Sequence, residues 1–186
     1  MDFARDDHGY TQLSLLARGI PAAEWRKETV CTPRGDDILG NFDRDKTQRL
    51  APGKLCSMFL LPGDEISELH RRTTLRLTDT IERMCHGKFP YIHNELILLC
   101  YQSISYEQMK AWGFTYVVAL RQRVVPDTKA MKIPHGFTKF IPDRYGRPSL
   151  LGVNYRGGQK VIDGGHDGPL ATWGPGGAFL VPVSKD

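Results

Sequence analysis

Long hydrophobic runs are missing from this sequence of 186 residues. The longest apolar stretch, Leu96 to Tyr101, has six residues, whereas a membrane-spanning helix needs about 20. The N-terminus, from Met1 to Asp7, is acidic before any apolar run begins, which is unlike a secretory signal or a mitochondrial presequence. These absences predict a cytoplasmic protein without a transmembrane span.

Closely spaced cysteines are missing as well. Cys31, Cys56, Cys85 and Cys100 are separated by 25, 29 and 15 positions. Zinc-binding and redox motifs instead place their cysteines only a few residues apart. The sequence therefore predicts free and mostly buried thiols, in agreement with a reducing compartment.

Recognised catalytic and nucleotide-binding signatures are also absent. There is no Gly-x-Ser-x-Gly motif for a nucleophile, and the glycine pairs lack both the Walker lysine spacing and a following amphipathic helix. Asp163, His166 and Asp167 are residue types that bind metals, but in the glycine-rich stretch from Gly164 to Gly177 a solvated loop is the commoner explanation. We therefore predict no metal ion and no cofactor, and we lean towards a protein that is not an enzyme.

What the sequence does contain is an uneven distribution of charge. The formal net charge is +4, but residues 121–160 hold nine lysines and arginines against two aspartates. Such a local excess attracts anionic partners. Aromatic residues are interleaved with these cations, and single-stranded nucleic-acid sites combine stacking with positive charge in this way. The predicted anion-binding residues are Arg121, Arg123, Lys139, Arg144, Arg147, Arg156 and Lys160.

Short helices are predicted within residues of about 79–112. Asp79 has the position of a helix N-cap, and Ser105 with Gln108 three positions later forms a capping-box pair. Residues 73–78 alternate polar and apolar side chains as a strand does, so we expect them to be extended. The helices should bury Leu96, Leu99, Cys100, Met109 and Trp112.

Strand signals dominate from residue 114 onwards. Residues 55–61 also form an apolar run that ends at a Pro-Gly turn. Gly157-Gly158 is a strong signal for a tight hairpin turn, and Pro182 predicts that the last strand, 179–183, lies at a sheet edge. The sequence therefore predicts an α+β fold in which the helices pack on a mainly antiparallel sheet from the C-terminal half.

The first 53 residues are polar and interrupted. Pro21 to Trp25 has the pattern of a short helix, whereas Thr32 to Asp37 and Ala51 to Gly53 are typical of turns. We therefore predict that residues 1–53 form an N-terminal arm or loosely built subdomain and that residues 54–186 form the α+β core domain.

One constellation predicts chemistry. Tyr106 and Lys110 are four positions apart, so on a helix they lie on one face, and an adjacent ammonium favours the tyrosinate. With an imidazole such as His8, the pair has the groups for metal-independent phosphodiester cleavage, in which lysine stabilises the phosphorane. The commoner arrangement of such a pair is a tyrosine lying over a lysine stem on a helix surface.

Together these patterns favour a non-enzymatic structural or binding protein that engages an anionic partner through a basic face in residues 121–160. The partner classes are nucleic acid, an anionic membrane surface in peripheral contact, or an acidic protein. A helical middle followed by strands, with a basic surface, is compatible with viral matrix-type proteins, although no motif identifies the chain as one. The alternative is a small metal-independent nuclease or phosphodiesterase using Tyr106, Lys110 and a histidine. Formation of a homo-oligomer stays open.

Overall fold

The computed structural model describes residues 9–41, 49–68, 73–85, 92–120, 141–142, 148–166 and 171–183. In these residues seven strands form one sheet. They are β1 (Thr11–Leu16), β2 (Leu55–Pro62), β3 (Tyr116–Val118), β4 (Ile141–Pro142), β5 (Pro148–Arg156), β6 (Gln159–His166) and β7 (Gly177–Pro182). The path runs β1-β2-β7-β3-β5-β4, and β6 pairs with β5. Only β3 and β7 pair in parallel, so the predicted mainly antiparallel sheet is confirmed for the described residues.

The same residues contain six helices. They are α1 (Ala22–Glu28), α2 (Pro33–Asn41), α3 (Gly63–Ile66), α4 (Thr74–Met84), α5 (Asn94–Ser103) and α6 (Tyr106–Ala111). The α+β fold class is therefore confirmed. Helix α5 contacts β1, β5 and β6, and all its residues from Asn94 to Tyr101 are buried. None of the described helices is long and apolar enough to cross a membrane.

Local signals located several elements correctly. Ser105 and Gln108 form the predicted capping box at the start of α6. Gly157 and Gly158 have φ values of 57° and 79°, which suit the two-residue turn between β5 and β6 because glycine adopts this region without a steric penalty. Of the predicted core residues, Leu96, Leu99, Cys100 and Met109 are buried, and Trp112 is partly buried against the core.

The prediction of an extended segment at residues 73–78 was wrong. Helix α4 begins at Thr74, and the Thr73 side chain caps it by accepting a hydrogen bond from the Arg76 N–H at 3.3 Å. Leu77 and Ile81, four positions apart, form its buried face. Because Asp79 lies inside the helix, the predicted cap at that residue was wrong too.

The turn predicted at Thr32 to Asp37 is the first part of α2. The Thr32 hydroxyl accepts the Gly35 N–H at 3.1 Å, and proline is favoured at the first helical position because its missing N–H needs no partner there. Ile38 and Leu39 are buried, and α2 packs on β5 and β6. Proline and aspartate are common both in turns and in the first turn of a helix, so composition alone did not separate the two.

Strand β7 is not the predicted edge strand. It pairs with β2 on one side and β3 on the other. Pro182 is its last residue, so the missing N–H affects only the end of the ladder. The loop predicted from Gly164 to Gly177 is also shorter than expected, because Gly164 to His166 complete β6 and Gly177 begins β7.

The described residues before position 53 contribute to the same hydrophobic core as those after it. Leu13 and Leu15 from β1 and Trp25 from α1 join Leu98 of α5 and Leu180 of β7 in one buried cluster. The division of the chain at residue 53 stays a prediction.

The core position of α5 leads to a first testable expectation. A Leu99→Ala variant should lose about 2–3 kcal/mol of unfolding free energy, near the lower end for buried leucines because the side chain lies at the margin of the core. Leu99 is 5% exposed. Urea denaturation measures the change. A loss below about 1 kcal/mol would contradict a core position.

Candidate anion interface at the hairpin and helix α6

The predicted site residues that the structure describes fall into two groups. Arg156 and Lys160 flank the turn between β5 and β6, and Tyr106 and Lys110 lie on α6. The remaining predicted residues lie outside the described residues, namely His8, Arg121, Arg123, Lys139, Arg144 and Arg147.

The hairpin and α6 contact each other through two tyrosines. The ring centroids of Tyr106 and Tyr155 are 4.0 Å apart at an interplanar angle of 53°. The Tyr155 hydroxyl also donates a hydrogen bond to the Tyr106 carbonyl oxygen at 2.6 Å. Both tyrosines are half-buried, and Lys110 is exposed one turn further along α6. The hairpin that carries Arg156 and Lys160 therefore packs against the helix that carries Tyr106 and Lys110.

Tyr155 acts here as a hydrogen-bond donor. Loss of solvent raises its pKa to about 12, and the adjacent Tyr106 and the Glu107 carboxyl group add to the shift. Each of these causes disfavours the tyrosinate. At neutral pH the Tyr155 hydroxyl therefore keeps its proton and holds the hairpin against α6.

Lys160 lies opposite Tyr155 in the hairpin register and contacts the end of α5. Its ammonium group donates to the carbonyl oxygens of Tyr101 and Ile104, the latter at 2.6 Å, and lies 4.3 Å from the centroid of the Tyr101 ring. Burial lowers the pKa of Lys160. The side chain thus caps the C-terminus of α5, where a cation stabilises the last carbonyl groups.

Arg156 lies on the opposite face of the hairpin. It pairs with Gln159 in the register, and neighbouring positions of a strand point to opposite faces. Its guanidinium contacts the Asp163 carboxyl group at 2.6 Å, although the Arg156 side chain is 63% exposed and that of Asp163 only 6%. The two described members of the predicted basic set therefore do not share a face.

Asp163 belongs to β6 rather than to the predicted solvated loop. Its carboxyl group accepts hydrogen bonds from the Thr32 hydroxyl at 2.5 Å and from the Asn154 amide at 3.0 Å, besides the Arg156 contact. These donors join α2 to the hairpin. Asp167, the third residue of the cluster weighed as a metal site, lies outside the described residues.

Comparison with known proteins adds no relative. No family model matches the chain, and no curated protein and no solved structure matches it either.

Proposed function

We propose that the protein is a non-enzymatic binding protein that engages single-stranded nucleic acid through basic residues within 121–160, Lys160 excepted, and the adjoining surface of the hairpin and α6. The observation that carries the proposal is the paired rings of Tyr106 and Tyr155. Lys110 is exposed on the same helix as Tyr106, and Arg156 is exposed beside the hairpin turn, on the face opposite Tyr155. Aromatic rings stack on bases while cations neutralise the phosphates, whatever the sequence of the strand.

Arg156 has the exposure that phosphate contact requires. Its side chain is 63% exposed while one guanidinium nitrogen contacts Asp163, and a planar guanidinium has further donors for a phosphate. Lys160 has a structural role instead. Because its ammonium group is engaged by two carbonyl oxygens, it holds the hairpin on α5 and does not bind the ligand.

Nucleic acid is favoured over a membrane surface or an acidic protein by the aromatic pair. A lipid headgroup layer is bound through charge together with buried apolar side chains, whereas bases offer flat faces that match the two tyrosine rings. A cytoplasmic location fits the proposal, since all four cysteines are free and thiols stay reduced there. A viral matrix-type role is one form that such nucleic-acid binding takes.

Contacts among the described residues do not favour the nuclease alternative. The Tyr106 ring packs against Tyr155, and in the described part of the chain no hydrogen bond links its hydroxyl to Lys110. The Tyr155 hydroxyl beside it is a weaker acid than an ordinary tyrosine. The alternative stays a prediction that rests on the spacing of Tyr106 and Lys110.

Salt dependence tests the binding proposal. We expect the logarithm of the association constant for a labelled single-stranded RNA to fall linearly with the logarithm of KCl concentration, by about 0.7 per phosphate contacted. Arg156→Gln and Lys110→Gln should each reduce that slope by about 0.7, because each removes one phosphate contact. Fluorescence anisotropy in EDTA measures the affinity, and mass spectrometry of the RNA afterwards detects any cleavage.

Lys54→Gln is the matched control, since Lys54 is exposed just before β2. It should leave the slope unchanged. Wild-type slopes in both hairpin and α6 variants would exclude this surface as the site. Equal affinity for anionic vesicles, with no preference for RNA, would reject nucleic acid as the partner. RNA cleavage that Tyr106→Phe abolishes would favour the alternative.

A further inference from the structure

A cavity lies at one end of the sheet, where β1 begins, β2 ends and β7 begins. Its volume is about 430 Å³, within the range of small-molecule sites. Three aromatic residues line it together with two acidic residues, namely Tyr10, Trp112, Phe114, Asp64 and Glu65. Gly176 and Gly177 also line the cavity.

Glycine geometry positions the aromatic wall. Helix α6 ends at Ala111 with Trp112 as its C-cap, and Gly113 then adopts a φ of 72°, a conformation that side chains rarely tolerate. The chain turns there, so that the rings of Trp112 and Phe114 stand edge to face with centroids 6.1 Å apart. Gly176 has the same φ and lies close to Gly113. A Cβ atom added at Gly176 would be 3.1 Å from the Gly113 carbonyl oxygen. Backbone at the cavity is therefore closely packed.

The lining residues favour a positively charged ligand. Aromatic faces attract cations through their quadrupole, and the carboxyl groups of Asp64 and Glu65 add negative charge. Among the lining residues that the structure describes, none is a lysine or an arginine. Neither an anion nor a neutral ligand uses this combination as well as a cation does.

We propose that this cavity binds an alkylammonium group. The group lies against the Trp112 and Phe114 rings, and the Glu65 carboxyl group supplies the opposite charge. The residues argued to contact nucleic acid, namely Tyr106, Lys110, Tyr155 and Arg156, do not line this cavity, so either proposal can fail without the other.

A groove next to the cavity can accommodate the rest of the ligand. It has a volume of about 770 Å³ and shares Asp64 and Glu65 with the cavity. Further acidic side chains, Glu68 and Asp79, line it together with Arg76 and Arg83. The alkylammonium group therefore belongs either to a small amine or to a lysine side chain whose peptide continues into this groove.

Titration of the full chain with matched probes tests the proposal. Choline carries the cation, and 3,3-dimethylbutan-1-ol is its neutral analogue of the same shape. We expect choline to bind about fivefold or more tightly than the alcohol, as the electrostatic attraction of a ring face for a cation requires. Isothermal titration calorimetry measures both affinities.

Variants locate the site. Glu65→Gln should weaken choline binding about fivefold and leave the alcohol unaffected, because only the charge is removed. Trp112→Leu should abolish the preference for choline, and Trp112→Phe should retain it. Glu107→Gln is the control, since Glu107 is exposed on α6 and does not line the cavity. Thermal unfolding of each variant identifies any that fails to fold. If the Trp112 variants fail, Glu65→Gln decides the outcome, because Glu65 is exposed and its replacement should not affect folding.

The two sources of the group are distinguished by a lysine-containing peptide and its Nε-acetylated form. Tighter binding of the unmodified peptide than of choline, lost on acetylation, assigns the site to a lysine side chain. Equal binding of choline and peptide assigns it to free amines. Equal affinities for choline and the alcohol, or no saturable binding of choline or the unmodified peptide, would overturn the proposal.

Discussion

Replacement of Glu95 by alanine is expected to reduce the free energy of unfolding by about 4–6 kcal/mol, since each buried donor left without a partner costs about 1–3 kcal/mol. The Glu95 side chain is fully buried at the start of α5. One carboxyl oxygen accepts the N–H groups of Arg18 and Gly19 at 2.8 and 2.6 Å, and the other accepts the Leu50 N–H at 2.7 Å. Alanine leaves all three donors buried or half-buried without this acceptor.

Glu95→Gln separates the hydrogen bonds from the packing. The amide keeps one acceptor oxygen and the shape of the side chain, but its NH₂ group faces a backbone donor, so we expect about half of the alanine effect. Glu107→Ala, on the exposed surface of α6, should change stability by less than about 0.5 kcal/mol. Urea denaturation compares the three variants. A Glu95→Ala loss as small as that of Glu107→Ala would mean that these hydrogen bonds do not hold the N-terminal segment on α5.

Replacement of Trp25 by alanine should reduce stability by about 3–5 kcal/mol, as the truncation of buried tryptophans does. Trp25 on α1 is fully buried and belongs to the common core cluster. The Arg18 guanidinium lies 5.0 Å from its ring centroid. The variant also tests the predicted division at residue 53. If residues 1–53 were an arm with its own loose structure, the main unfolding transition would keep its wild-type midpoint.

Trp25→Phe is the matched variant for this site. In the part of the chain that the structure describes, the buried indole N–H has no hydrogen-bond partner, so phenylalanine removes an unpaired donor as well as some volume. The two effects oppose each other, and we expect a loss below about 1.5 kcal/mol. Thermal and urea unfolding measure both variants. A phenylalanine variant as unstable as the alanine variant would show that the ring's full volume, and not its apolar character, is required.

Signals contained within a few residues were sufficient for part of the fold. The capping box at Ser105 and the turn at Gly157-Gly158 need no information from elsewhere in the chain, and both were predicted correctly. The segment at 73–84 was ambiguous, because Leu75 and Leu77 fit a strand while Leu77 and Ile81 fit a helix. The buried contacts of Leu77 and Ile81 decide in favour of the helix, and such contacts are not visible in a local pattern.

The candidate site, like the fold, could be predicted from the sequence only in part. A two-residue turn fixes the hairpin register, so the sequence contained the information that Arg156 and Lys160 point to opposite faces. The packing of Tyr106 on Tyr155 depends on where α6 meets the sheet across 49 positions of sequence, and no signal in the sequence specified it. The aromatic cavity was missed for a related reason, since Tyr10, Glu65 and Trp112 come from three distant segments.

The central position of β7 has a consequence for biosynthesis. Strands β1 and β2 can pair with each other early, and β3 can pair with β5, but β7 is the described strand that joins these two groups. It is also the last of the described strands to leave the ribosome. Because distant pairings form slowly, the growing chain leaves one edge of β2 and one edge of β3 without a partner strand until β7 inserts between them. Unpaired strand edges favour aggregation, so we expect the nascent chain to be most susceptible to aggregation in this interval.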